Sequence, residues 1–263
     1  MRALIASAGG AMWRSLCFVL LLGLATQTSA GAQPVDSARP AVGGIPSLAD
    51  AMIFYVARGA PGACGKDCSE WIAAEGAIQW DTHKRLLAVL GRVGEHKLPL
   101  VLDVRGEANL NVAVSMGRII RERGLDVTAA TTRAERCAGA TEADCFALKR
   151  GGGPLEARID ASAVHCDVAC VLVLAGGVHR TLPAATRMII GGRAIKNRLG
   201  LNVADERREG LQTRFGDQFR LYLTQMGISP EFMDTIDRNT EQQRNTELKP
   251  DDWTRLRIVT PVQ

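Results

Sequence analysis

Beyond Cys17, the chain holds six cysteines in three close pairs, and these carry the most chemical potential. Cys64 and Cys68 lie in APGACGKDCSE, Cys137 and Cys145 in RCAGATEADC, and Cys166 and Cys170 in HCDVAC. An even set of thiols in an oxidising compartment reads as disulfides, and local pairing is the first choice for the two loop pairs. The spacing of Cys166 and Cys170 decides less. Four residues apart on a helix, their Cα atoms lie about 6 Å apart, within bridging range but with Cβ directions that are not ideal. Two C-x-x-x-C pairs would also offer a zinc ion four thiolates. The spacing is not that of the usual short knuckle and no His completes it, so no metal is expected. Cys166 between His165 and Asp167 has the ingredients of a thiol, a base and an acid. Neighbours along a strand or helix point apart, however, so a structural disulfide is the stronger reading. Glu75 and Asp103 are the candidate acids, with caps or turn residues as the plainer role. His83, His96, His179 and Arg180 read as surface positions.

The N-terminus has the layout of a targeting segment. Arg2 and Arg14 precede an apolar core, Ser15 to Ala25, and a small-residue stretch, Thr26 to Ala32. That core is shorter than the roughly 20 residues a bilayer span requires. Residues 1–32 therefore read as a secretory signal peptide, and residues 33–47 (QPVDSARPAVGGIPS) as a flexible leader. Residues 48–263 form one domain with enough chain for a substantial core. The expected address is the periplasm or the medium, with no transmembrane segment once the signal is removed. Loss of Arg2 and Arg14 lowers the formal charge from +4 to +2. Charges elsewhere are interleaved with apolar residues, and aromatics make up only 5% of the chain. No basic-plus-aromatic surface for nucleic acid is implied.

Several elements must position these groups. Met52 to Ala57 reads as a strand, and Glu70 to Ile78 as a second one interrupted at Glu75-Gly76. A helix capped at Asp81-Thr82 runs to about Val93, with Leu86, Leu87 and Leu90 on one face. Leu98 to Val104 is a buried strand. Asn109 or Asn111 opens a helix through Arg123, and Leu125 to Ala130 returns as a strand. This alternation implies a mainly parallel sheet. The Cys137–Cys145 loop and the Gly-rich Arg150 to Pro154 interrupt the next crossover. Helix Val168 to Ala175 and strand Arg187 to Ile190 follow. A long helix, Asp205 to Met226, carries Leu211, Phe215, Phe219 and Tyr222 as a core stripe. The tail adds a helix, Pro230 to Ile236, and a last strand, Leu256 to Thr260.

Three segments resemble the superfamily of Clp-protease proteolytic subunits and crotonases. They are DVRGEANLNVAVSMGRIIR (103–121), CDVACVLVLAGGVHRTLPAATRMIIG (166–191) and the tail LYLTQMGISPEFMDTI with LKPDDWTRLRIVT. The resemblance implies an α/β fold of repeated ββα units with a mainly parallel sheet, and trimeric or larger assemblies. In the peptidase branch a Ser opens the helix, a His closes the following strand, and a Gly-Gly turn after an earlier strand supplies an oxyanion hole. The matching positions here are Val168, Gly191 and the turn Gly106, Glu107, Ala108. None of these side chains attacks a carbonyl or accepts a proton, and Glu107 has the wrong sign for an oxyanion.

The expected function is thus an exported, Clp-protease-like protein without catalysis, which binds a peptide or protein partner or forms a homo-oligomer. No cofactor is implied. A peptidase or other acyl-transfer hydrolase with a relocated nucleophile such as Cys166 is the alternative. A crotonase-like thioester enzyme is a third reading, disfavoured by export away from coenzyme A.

Overall fold

The computed structural model describes residues 51–192 and 205–261. The segments read as signal peptide and leader, residues 1–47, lie outside the described residues. In chain order the elements are β1 (Ile53–Arg58), β2 (Glu70–Gly76), α1 (Thr82–Val93), β3 (Leu100–Val104), α2 (Leu110–Arg123), β4 (Val127–Ala129) and β5 (Thr131–Ala134). They continue with a 3₁₀ turn (Glu135–Cys137), α3 (Glu142–Arg150), β6 (Leu155–Asp160), β7 (His165–Cys166), α4 (Val168–Leu174), β8 (Arg180–Thr181) and β9 (Arg187–Ile190). The last are α5 (Asp205–Gln225), α6 (Glu231–Gln242), β10 (Thr246–Leu248) and α7 (Pro250–Arg255).

Seven strands form one sheet in the order β5-β6-β1-β2-β3-β4-β8, and β10-β9-β7 form a smaller one. In the large sheet β1–β6, β2–β3, β3–β4 and β4–β8 pair in parallel, while β1–β2 and β5–β6 are antiparallel. The fold is mixed α/β with a mainly parallel sheet. Central strands covered on both faces need continuous apolar runs rather than alternation. Trp71, Ile72, Ala73 and Ala74 of β2 and Leu100, Val101 and Leu102 of β3 are accordingly all buried.

The helices follow their apolar stripes. Asn109 caps α2 by accepting from the Val112 N–H, and Val112, Ala113, Met116 and Ile120 face the core. On α1 the buried apolar residues are Leu86, Val89 and Leu90. Leu87 departs from the expected face and is 45% exposed, because one residue of helix turns it about 100° from Leu86. Phe219 and Tyr222 of α5 are buried as expected; the Leu211 side chain lies outside the described residues.

Two segments differ from expectation. The supposed crossover loop folds as β5, α3 and β6, with Thr131 opposite Asp160 in an antiparallel pair. The strand Leu256 to Thr260 is absent: α7 occupies 250–255, and the tail beyond it is a turn. Its carbonyls are claimed by a side chain. Arg180 donates from Nε to the Ile258 carbonyl (3.0 Å) and from an Nη to that of Arg257 (3.0 Å). A single backbone bond, Thr260 N–H to the Arg180 carbonyl, keeps the tail beside β8.

Helices α2 and α4 pack together through glycine. A Cβ added at Gly176 would lie 2.2 Å from the Gly117 carbonyl oxygen, and one at Gly117 would lie 1.8 Å from the Tyr222 hydroxyl. That hydroxyl donates to the Leu172 carbonyl at 2.7 Å, which ties α5 to α4. Backbone against backbone leaves nothing flexible to yield. Gly176→Ala is expected to lower stability by about 3 kcal/mol in urea unfolding. Gly210→Ala, on open helix surface, should raise it by about 0.5–1 kcal/mol. Equal effects at the two positions would contradict this packing.

Candidate functional site

The first turn of α4 is built from its own sequence. Asp167 accepts from the Cys170 N–H at 2.9 Å and so caps the helix. Cys166, the last residue of β7, is joined to Cys170 in a disulfide, with Cα atoms 5.1 Å apart. Both sulfurs' residues are buried. Cys64–Cys68 and Cys137–Cys145 are also joined. The thiol, base and acid of HCDVAC are therefore not a catalytic group. Cys166 is spent in a disulfide, Asp167 in a cap, and His165 is exposed.

The three positions singled out by resemblance come from neighbouring elements. β7 pairs in parallel with β9, Cys166 opposite Met188, so Val168 and Gly191 follow adjacent strand ends. β3, whose end leads into Gly106, packs against β7 and α4. Val168 is half-buried against the core. A Cβ at Gly191 would meet the Asn245 Oδ1 at 2.9 Å, so a side chain there must displace that carboxamide. Gly106 has φ of 69°, the left-handed turn glycine suits, while Glu107 is exposed and Ala108 leans on the core.

A second polar centre, which the sequence did not reveal as a unit, lies at the ends of β2 and β3. Glu75 and Asp103 stand opposite each other across this parallel pair. Glu75 is only 5% exposed. It accepts from the Tyr55 hydroxyl in a very short bond and from Lys149 Nζ at 2.6 Å. Arg105 lies 3.9 Å from the same carboxylate and 2.5 Å from Asp103, which also accepts from Thr131 at 2.9 Å. Burial, then the Glu75 charge, raise the Tyr55 phenol far above its ordinary range, so it stays a hydrogen-bond donor. The hydrogen bond to Asp103 raises the Arg105 guanidinium further still. Tyr55 is fully buried, which withholds its hydroxyl from any substrate. This network anchors α3 and the β3 turn.

Glu75 is thus no cap or turn residue, and Asp103 orients Arg105. Lys149 gave no signal in sequence because its partner is 74 residues away. Arg180 is a correction too: expected on the surface, it is 6% exposed. Burial, then Arg121 nearby, lower it to about 10, and backbone carbonyls hold it as a cation. His179 does lie outside, 2.8 Å from Asp126. His83 is half-buried rather than exposed, with a buried Nδ1 lacking a partner. No group of His, Cys, Asp and Glu suited to a metal occurs among the described residues. No described helix is long and apolar enough to cross a membrane.

No protein-family model and no curated protein sequence matches the chain. Among solved structures it is similar to a mutant of ClpP1 from Listeria monocytogenes, at 12% identity and a TM-score of 0.44, over 80% of this chain and 89% of that one. It is also similar to a mutant of the membrane-bound stomatin-specific protease 1510-N, at 12% identity and a TM-score of 0.41, over 71% of this chain and 75% of that one.

A buried ion pair costs most when only one partner is removed. Glu75→Gln strands the Lys149 ammonium and is expected to destabilise by about 3 kcal/mol. Lys149→Met should cost less, because Tyr55 and Arg105 still face Glu75. The double variant should recover part of the loss, with a coupling of about 1–3 kcal/mol. Simple additivity in a double-mutant cycle would show that the pair does not act as one.

Proposed function

We propose that this chain is an exported, Clp-protease-like protein that performs no peptidase chemistry and acts by binding a peptide or protein partner or by assembling with itself. The observation that carries the reading is the filled first turn of α4. Acyl transfer needs a hydroxyl or thiol at the helix start and an imidazole to take its proton. Val168 stands there, Cys166 and Cys170 are consumed in a disulfide, and Gly191 offers no side chain. The Asp167 carboxylate beside it, bound to the Cys170 N–H, would oppose an alkoxide or an oxyanion.

Three disulfides support export to an oxidising compartment. They also weigh against a relocated cysteine nucleophile, since a joined sulfur is no thiolate. The mixed α/β sheet and the segments that resemble Clp proteases support the family reading.

Two measurements on the folded, signal-free protein test this. Thiol titration in denaturant should find none of the six cysteines free, and probes for serine hydrolases and for reactive thiols should leave the native protein unlabelled. Val168→Ser combined with Gly191→His should fold and remain inactive, because Glu107 and Ala108 still occupy the oxyanion turn. Labelling of the native protein at any Ser or Cys, or peptidase activity from the double variant, would overturn the reading.

A further inference from the structure

Helix α3 is held in place without burying itself. None of its nine residues is fully buried. Its N-terminal half is stapled by Cys137–Cys145, and Lys149 pins its end to Glu75. A helix that contributes so little apolar surface to the core and is yet fixed at both ends serves as a wall. What it walls is a groove of about 1100 Å³ against α1 and the start of β1.

The groove has an apolar floor and a basic rim. Ile53, Phe54, Ala88 and Phe146 line it, with Arg85, Arg92 and Arg150. Arg85 is already answered, 2.9 Å from Asp81, and also donates to the Met52 carbonyl. Arg92 and Arg150 are exposed, and among the described residues no carboxylate bonds either one. Arg150 lies 5.7 Å from the centre of the Phe146 ring. Arg92 lies over Gly152, where a Cβ would come within 2.8 Å of its guanidinium. Two guanidinia that no described carboxylate bonds thus line an apolar trough in which Glu142 is the only lining carboxylate.

We propose that this groove docks an acidic peptide segment of a partner protein. An apolar side chain rests on Phe54 and Phe146, and a carboxylate engages Arg92 and Arg150. Paired planar guanidinium forks suit carboxylates, and an apolar floor within a charged rim is the usual plan of a peptide groove. The groove shares no residue with Val168, Gly191 or the turn Gly106–Ala108, so its test stands apart from the absence of catalysis.

The experiment uses the full signal-free chain on an array of immobilised decapeptides that vary Glu number and carry zero, one or two Leu or Phe residues. Binding should rise with Glu count, require an apolar residue, and weaken with added salt. Arg92→Glu with Arg150→Glu, both on the surface and expected to be tolerated by the fold, should reduce it at least tenfold. Phe146→Ala should also reduce it, without a change in circular dichroism. Binding indifferent to Glu count, or unchanged by the charge reversal, overturns the proposal. So does an arginine-dependent attachment to phosphatidylglycerol vesicles without peptide binding. Arginine-dependent dimerisation in sedimentation, again without peptide binding, would instead assign the groove to a second copy and overturn it equally.

Discussion

Glu75 brings a carboxylate into the interior at the end of β2, and a charge there must be answered or neutralised. The surrounding elements meet that demand together. β1 supplies the Tyr55 hydroxyl, α3 the Lys149 ammonium, and the β3 turn the Arg105 guanidinium, itself steered by Asp103 and Thr131. Lys149 reaches Glu75 because β5, α3 and β6 fold back to β1, an excursion also held by the β1–β6 and β5–β6 pairings and the Cys137–Cys145 disulfide. A buried polar group that lost one of these partners would cost far more than any surface pair in the molecule could return.

Around this centre the packing is governed by backbone contact. Gly117 and Gly176 bring α2 and α4 together until main chain meets main chain. Tyr222 then bonds the Leu172 carbonyl of the helix so placed. On the far edge, Arg180 gathers the Arg257 and Ile258 carbonyls of the tail, that of Met226 just past α5 and that of Gly177. A guanidinium with five donors does there what a strand ladder would otherwise do. Asn239 plays a similar part for the small sheet, donating to the Ile190 carbonyl while accepting from Thr246.

At the start of α4 the Asp167 cap, the Cys166–Cys170 disulfide and a half-buried Val168 come together. The outer groove between α1 and α3 has a different character: an apolar floor and two guanidinia, Arg92 and Arg150, that no described carboxylate bonds.

Much of this was legible in sequence. The strands and helices from Met52 to Arg123, the α4 segment and the two loop disulfides follow from local apolar runs, capping residues and close cysteine spacing, all of which act within a few residues. His83, Arg180 and the Leu256 to Thr260 segment were misjudged, because exposure and carbonyl partners depend on what packs alongside, whereas Leu87 was misplaced by the helix period alone. Glu75 with Lys149, and Arg92 with Arg150 across a groove, were invisible for the same reason. Each joins residues more than fifty positions apart, and a side chain's partner at that range is set by how sheet and helices close around it. The sequence determined most of the elements, because apolar runs, caps and close cysteine spacing act locally; the tertiary structure decided which charges are answered, because their partners come from distant segments.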